Sequence, residues 1–408
     1  MKIAMLVWDM SIGGGTQRQA LELSRYLTDS GFEVKLYCVY LNQKKCHPEL
    51  IGKVDIIGLN NDSSFKKRNL LLSNICGPFL FWREERLISK RIVAIMDNDF
   101  DLLNCHDHFA FAPAVLYKKC HDVPVVWMMN DIPNYYDPRF KYGGLKGLLY
   151  KLLKLVRGEL FRQWWEVSLI NKIDRVVVLD NKISDLAGRH LGKEAIVIRS
   201  GADTEIFSPP TPKTLGQGRI NILANGIFFI WRRHEDLISA VKILKDINYK
   251  VHVNIIGEDS TDRQYARRIK SLIDTYGLQE EVNLLGAVSQ DRLVAEYQFA
   301  DVFVFPNYPQ TWGLAVFEAM ACGTPVIVST GCGAAEVLTD GENALLIPFK
   351  NPGSIAEAIE RLAKDNELWE RLSRNGREFV LRNVRWDLYG KKMAELFNIE
   401  VDHISRRG

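Results

Sequence analysis

The residues best able to do chemistry gather in a few short stretches, and the densest runs from Asp301 to Glu336. There an apolar strand, Val302–Phe305, enters a loop carrying Pro306 and Pro309, and a helix is predicted to begin near Trp312-Gly313. Gly313 has no Cβ, so a phosphate can approach the first N–H groups of that helix, where the dipole favours negative charge. Glu318 lies more than a turn further in, and its carboxylate can accept hydrogen bonds from two vicinal hydroxyls. A plain helix start followed by a solvated glutamate has the same pattern. A second stretch, Gly13-Gly14-Gly15, follows the first strand and precedes a helix with Gln17 and Arg18. Its N–H groups can meet a phosphate or a sugar, although a structural turn reads alike. A third, Asn104-Cys105-His106-Asp107-His108, closes another strand. A metal is not expected there: His106 and His108 would point to opposite faces of a continuing strand, and no matching cluster occurs elsewhere.

The run Glu318-Ala319-Met320-Ala321-Cys322-Gly323-Thr324-Pro325-Val326 resembles the donor-binding signature of retaining GT-B glycosyltransferases of family 4, the group 1 glycosyl transferases. That resemblance implies two Rossmann-like, doubly wound α/β domains facing across a cleft, and a sugar moved from a nucleotide-sugar with retention of configuration and without metal or other cofactor. It implies that Glu318 holds the donor ribose and that Thr311 and backbone groups at Trp312, Gly313 and Leu314 face the diphosphate. Gly14 and Gly15 would border the donor, Val288 would pack on the nucleobase, and His106 would hydrogen-bond a sugar hydroxyl. Arg233, with Arg232 as the alternate, takes the place of the diphosphate-binding lysine, and solvated charge at a helix start is the other reading. Three positions depart from the family pattern. Gln310 stands where a glutamate usually contacts the transferred sugar, Ile227 where an arginine follows Gly226, and Asn104 where a first histidine precedes His106. Glutamine keeps an acceptor oxygen but carries no charge, which weakens support for a developing oxocarbenium ion. With that reservation, Gln310 joins His106 and Glu318 as a candidate catalytic residue.

Alternating strands and helices must position these residues. The first array opens with Lys2–Trp8, a helix over 16–30 and a strand at Glu33–Tyr40, and continues with Leu102–Cys105, Val123–Met129 and Arg175–Leu179. Prolines 209, 210 and 212 with Gly216 and Gly218 break the pattern. A second array then runs from Ile220–Ala224 through Val251–Ile256, Val282–Leu285, Val302–Phe305 and Pro325–Ser329, with helices between. The expected division is an acceptor-side domain over 1–205, a nucleotide-sugar domain over 206–380, and a C-terminal helix over 381–408 packing back on the first domain. Doubly wound sheets bind ligands at the carboxyl ends of their strands, where all three chemical stretches fall.

A net charge of +3 from 53 basic and 50 acidic residues gives no electrostatic footprint for nucleic acid. Seven irregularly spaced cysteines without a CxxC pair argue for a reducing, cytoplasmic compartment. No apolar run reaches about 18 residues, the length needed to span a bilayer. Residues 145–165 are amphipathic, with leucines on one side, Lys146, Lys151, Lys154, Arg157 and Arg162 on the other, and Trp164-Trp165 at the end. They suit either a core-packed surface helix or peripheral contact with the inner face of a membrane. The expected partners are a nucleotide-diphosphate-sugar, most simply a hexose donor, and a glycan or lipid-linked acceptor. A nucleotide-sugar epimerase of similar architecture and a non-catalytic partner subunit remain as alternatives. A dinucleotide-dependent dehydrogenase is disfavoured because GxGxxG and its acidic partner are missing.

Overall fold

The computed structural model describes residues 1–59, 70–130, 159–209, 213–216, 218–309 and 312–406. The chain forms two compact units, Met1–Ile198 with Tyr389–Gly408, and Arg199–Leu388.

Unit 1 is built on a seven-stranded, wholly parallel sheet. Its strands are β1 (Lys2–Met10), β2 (Glu33–Leu41), β3 (Ile56–Gly58), β4 (Leu102–His106), β5 (Val125–Met128), β6 (Arg175–Val178) and β7 (Ala195–Val197). Their order is β3-β2-β1-β4-β5-β6-β7, which reverses direction between β1 and β4. Helices over Gly15–Asp29, Phe111–Lys118 and Asn181–Leu191 return the chain between strands. Ile3 to Val7 of β1 are all buried, as expected of a central strand covered on both faces. Local signals set the helix ends. Asp180 accepts from the Ile183 N–H at 2.8 Å as N-cap, and Gly192 closes that helix in the left-handed region. The C-terminal helix, Trp386–Ser405, joins this unit from Tyr389 onward. Arg175 Nε donates to Glu400 at 2.8 Å, and a Cβ on Gly390 would lie 2.3 Å from the Tyr26 ring.

Unit 2 carries a six-stranded parallel sheet in the order β10-β9-β8-β11-β12-β13. These are β8 (Ile220–Asn225), β9 (Val251–Ile256), β10 (Val282–Gly286), β11 (Val302–Phe305), β12 (Val326–Ser329) and β13 (Leu345–Ile347). The order repeats the pattern of unit 1, with its reversal between β8 and β11. Each sheet is therefore Rossmann-like. The core joins Ile222, Val253, Val304 and Ile327 of the sheet to Leu237, Val241 and Ile359 of the covering helices. Asn351 caps the helix Pro352–Lys364, accepting from Ser354 N–H at 3.1 Å, as the Asn-Pro pair suggests. The chain enters unit 2 earlier than its proline-rich stretch suggests. Ser200 already accepts from the Trp312 indole, and Ala202 N–H donates to Val384 O at 2.9 Å. Asp301 then staples residues 213–216 to β8, accepting from Gly216 N–H at 2.9 Å and Asn221 N–H at 2.7 Å.

Candidate functional site

In unit 2 the carboxyl ends of β8, β9, β10 and β11 form a continuous shelf at the reversal of strand order. β8 ends at Asn225-Gly226 and β9 at Ile256-Gly257. A Cβ on Gly257 would sit 2.0 Å from the Gly226 carbonyl oxygen, so the two turns can pack only because Gly257 has none. Gly257 N–H in turn donates to Gly286 O at 2.9 Å, which ties in the end of β10. Val288 follows β10 and is half-buried at the rim. The loops after β8 and β11 are tied by Tyr308 N–H donating to Trp231 O at 2.8 Å.

Gly313 stands at the N-cap of the helix Leu314–Ala321 with φ 82°, in the left-handed region. An added Cβ would lie 2.8 Å from Phe305 Cε1 and 3.1 Å from Cys332 Sγ. Glycine is required twice over, by backbone conformation and by space. Trp312 fixes the approach to this turn. It is buried, its indole N–H donates to Ser200 O at 2.9 Å, and its ring stacks on Phe317 with centroids 4.4 Å apart. The helix it introduces has its first N–H groups at the shelf, as any helix start leaves them. Gln310 and Thr311 lie outside the described residues.

Glu318 is 8% exposed, and its Oε2 accepts from the Tyr297 hydroxyl at 3.0 Å. The same hydroxyl accepts from Asn225 Nδ2 at 3.1 Å. Burial and the Glu318 charge push the Tyr297 phenol well above its ordinary range, which keeps it a proton donor to the carboxylate.

The two arginines separate clearly. Arg233 donates to Asp236 through Nε at 2.8 Å and Nη2 at 2.6 Å, and its Nη1 lies 2.8 Å from Glu235. Two carboxylates thus hold that guanidinium, which neutralises it locally. Arg232 folds over the end of β8 instead, with Nε 2.8 Å from where a Gly226 Cβ would be. Asn307, just beyond β11, grips Arg232 twice. With its amide nitrogen toward the Arg232 carbonyl (3.1 Å), its oxygen accepts from Nη1 at 2.9 Å. Of the two arginines, Arg232 is the one whose side chain lies over the strand ends of the shelf, whereas the sequence put Arg233 first.

In unit 1 the corresponding reversal lies between β1 and β4. The helix Gly15–Asp29 starts there, with Gly14 as N-cap. Gln17 Nε2 donates to Asp9 O at 2.7 Å, and His47 Nε2 meets Gly14 O at 3.1 Å. His106 ends β4 and is fully buried, with Nε2 2.8 Å from Asn104 Oδ1. Because the Asn104 amide nitrogen donates to Val126 O at 3.0 Å, its oxygen is the acceptor, so Nε2 carries the proton. Nδ1 is then an acceptor, and among the described residues it has no hydrogen-bond partner. Burial pushes the His106 imidazole down to about 3, so it is neutral and aprotic at Nδ1. Asp107, next in the chain, accepts from the N–H groups of Trp8, Phe109 and Ala110, which makes it a turn residue. Asn130, after β5, donates to Thr16 Oγ1 at 3.2 Å. No group of three or more His, Cys, Asp or Glu side chains among the described residues is arranged to hold a metal ion.

Of the amphipathic stretch 145–165, residues 145–158 lie outside the described residues. Trp165 packs edge-on against Trp82, with centroids 6.2 Å apart, and Trp164 is 66% exposed. Among the described residues no helix is long and apolar enough to cross a membrane.

Three polar residues of the shelf were not singled out from the sequence: Asn225, Tyr297 and Asn307. Asn225 and Asn307 each sit at the carboxyl end of a strand flanking the reversal, and that position was the available signal. Tyr297 lies within the helix Gln290–Phe299 and carries no local signal.

Two family patterns cover most of the chain: Glycosyltransferase Family 4 over residues 13–206, and Glycosyl transferases group 1 over residues 212–379. The phosphatidyl-myo-inositol mannosyltransferase of Mycobacterium leprae is 24% identical over 97% of this chain and 96% of its own length. The chain spans about half the length of several other curated relatives it matches. One is a D-inositol 3-phosphate glycosyltransferase of Streptomyces bingchenggensis, 25% identical over 57% of this chain and 54% of that protein. Among solved structures, Anabaena HepE in complex with UDP and glucose aligns with a TM-score of 0.76 at 15% identity, covering 98% of this chain and 99% of that one. Sucrose-phosphate synthase from Thermosynechococcus elongatus aligns with a TM-score of 0.77 at 20% identity, covering 98% of each chain. These likenesses establish the GT-B fold, with its two Rossmann-like units.

Proposed function

Because the chain belongs to the group 1 glycosyl transferases of the family 4 type, we propose that it moves a hexose from a nucleotide-diphosphate-sugar to a hydroxyl of a glycan or lipid-linked acceptor, with retention of configuration. The observation that carries this reading is the shelf of unit 2. It sets a left-handed glycine helix start, a buried carboxylate little more than a turn later, and one arginine around the strand ends. Glu318 would accept from the ribose hydroxyls. The N–H groups at Gly313 and Leu314, with Arg232, would carry the diphosphate charge as it grows on the leaving group. Val288 would pack on the base. In unit 1, His106 Nδ1, an acceptor with no partner among the described residues, would accept from a sugar hydroxyl; Gly14 and Gly15 would border the sugar.

The bond from the anomeric carbon to the diphosphate oxygen breaks. A bond from the acceptor oxygen forms on the same face, and the acceptor proton passes to the departing phosphate. A neutral side chain at residue 310 is compatible with this route, since no covalent nucleophile is required. The reading includes no metal. The relatives named for phosphatidyl-myo-inositol and D-inositol 3-phosphate support a hydroxyl-rich or lipid-linked acceptor. It also includes peripheral membrane contact through residues 145–165, for which greater co-sedimentation with anionic than with neutral liposomes is expected.

The test is a panel of nucleotide-sugars incubated with lipid and glycan acceptors, read by nucleoside diphosphate release and by NMR of the new linkage. Turnover that requires an acceptor, keeps the donor's anomeric configuration and collapses in Glu318→Ala supports the proposal. Conversion of nucleotide-sugar alone would indicate an epimerase, and no turnover with any donor a non-catalytic subunit.

A further inference from the structure

We propose that Tyr297 is the positioning residue for Glu318, and that its hydroxyl sets how strongly the protein prefers a ribonucleotide to a deoxyribonucleotide. This rests on the reading of Glu318 as the ribose-binding carboxylate.

Tyr297 is fully buried. Its ring makes edge contacts with Phe207, centroids 5.8 Å apart, and Phe303, centroids 5.5 Å apart. Phenylalanine would satisfy that packing, so the hydroxyl needs a separate account. A buried hydroxyl is costly unless bonded, and this one uses both its capacities. It accepts from Asn225 Nδ2 and donates to Glu318 Oε2. The direction is enforced. An amide nitrogen can only donate, so the phenolic proton points at the carboxylate.

The tyrosine is itself anchored. Its backbone carbonyl accepts from Lys213 Nζ at 2.9 Å and from Thr324 Oγ1 at 2.6 Å. Strand β8, the helix Gln290–Phe299 and the helix Leu314–Ala321 are thereby joined through one hydroxyl. With Oε2 fixed, the carboxylate plane is fixed, and with it the directions from which further donors can be accepted. Two vicinal hydroxyls demand such a fixed plane, whereas a single hydroxyl can follow a rotating carboxylate.

The experiment is calorimetric titration of the full chain with whichever of UDP, GDP and ADP binds most tightly, and with its 2′-deoxy and 3′-deoxy counterparts. The wild type is expected to prefer the ribonucleotide by roughly tenfold or more, the size of a hydrogen bond to a charged group. In Tyr297→Phe that preference should fall to about threefold or less, with deoxynucleotide affinity changed less than about twofold. Asn225→Ala, which leaves the tyrosine ring untouched, should move the ratio in the same direction and settles the matter if Tyr297→Phe does not fold. An unchanged ratio in both variants, or equal weakening of ribo- and deoxynucleotides, would overturn the proposal, because a purely structural tyrosine gives those results. Glu318→Ala is the reference. If it leaves the preference intact, the ribose reading itself has failed; if it abolishes the preference while both other variants keep it, only the role of Tyr297 has failed.

Discussion

Replacing Gly313 with alanine adds one methyl group where the backbone and its surroundings both oppose it. The residue has φ 82°, so an L side chain costs roughly 1–2 kcal/mol for the left-handed conformation alone. The new carbon would lie 2.8 Å from Phe305 Cε1 and 3.1 Å from Cys332 Sγ, and both neighbours are buried. Neither can move into open space, so overpacking adds about 1–3 kcal/mol. The total is about 2–5 kcal/mol. Gly277 isolates the contact energy. It too lies in the left-handed region, at φ 63°, closing a helix rather than opening one, but an added Cβ there meets nothing within 4 Å. Gly277→Ala should therefore cost only the conformational part, about 1–2 kcal/mol. Urea unfolding followed by tryptophan fluorescence suits the comparison, since Trp312 and Trp369 are buried in unit 2. Nucleoside diphosphate affinity should fall in Gly313→Ala, whose helix start must shift, and hold in Gly277→Ala. Equal destabilisation of the two variants within about 0.5 kcal/mol, with unchanged nucleotide binding in both, would refute the reasoning.

Arg232→Ala should weaken nucleoside diphosphate binding and flatten its salt dependence. Arg233→Ala should instead lower thermal stability, because Glu235 and Asp236 lose their shared counter-charge; titration and melting curves on both variants separate the roles. Chelation with EDTA should leave the transfer rate unchanged, and a rate restored only by added Mg²⁺ or Mn²⁺ would count against the metal-free reading. For His106 the folded value, about 3, lies below the unfolded value of about 6.5. The unfolded chain therefore takes up a proton that the native state does not, so this contribution is fully present above about pH 6.5 and is lost as pH falls toward 3. At pH 5 the loss is about 2 kcal/mol, and His106→Phe should show that much less acid sensitivity between pH 7.5 and 5. Asp107, pushed up to about 6 by burial, acts in the opposite sense, so the variant comparison is diagnostic rather than the wild-type curve.

Much of the fold was legible because a parallel sheet covered on both faces needs continuous apolar strands. Lys2–Trp8 and Val302–Phe305 read plainly for that reason. The short edge strands β3, β7 and β13, three residues each, offer no such run. Strand order is a long-range property and emerges only from the register of neighbours. The candidate site divides similarly. Gly313 and Glu318 announce themselves through local chemistry, a glycine helix start and a carboxylate just beyond it. The choice between Arg232 and Arg233 depends on Asn307 and on the carboxylates Glu235 and Asp236. The first is distant in sequence; the other two are adjacent but say nothing of which guanidinium they hold. Tyr297 meets Asn225 across 72 positions, and nothing in its own helix marks it as part of the shelf.

The most direct test of the central claim is a crystal structure of the chain with its preferred nucleoside diphosphate bound. Diphosphate oxygens within about 3 Å of the N–H groups at Gly313 and Leu314, with the ribose hydroxyls on the Glu318 carboxylate, are the expected result. A nucleotide seated elsewhere, with Glu318 still engaged only by protein groups, would contradict it.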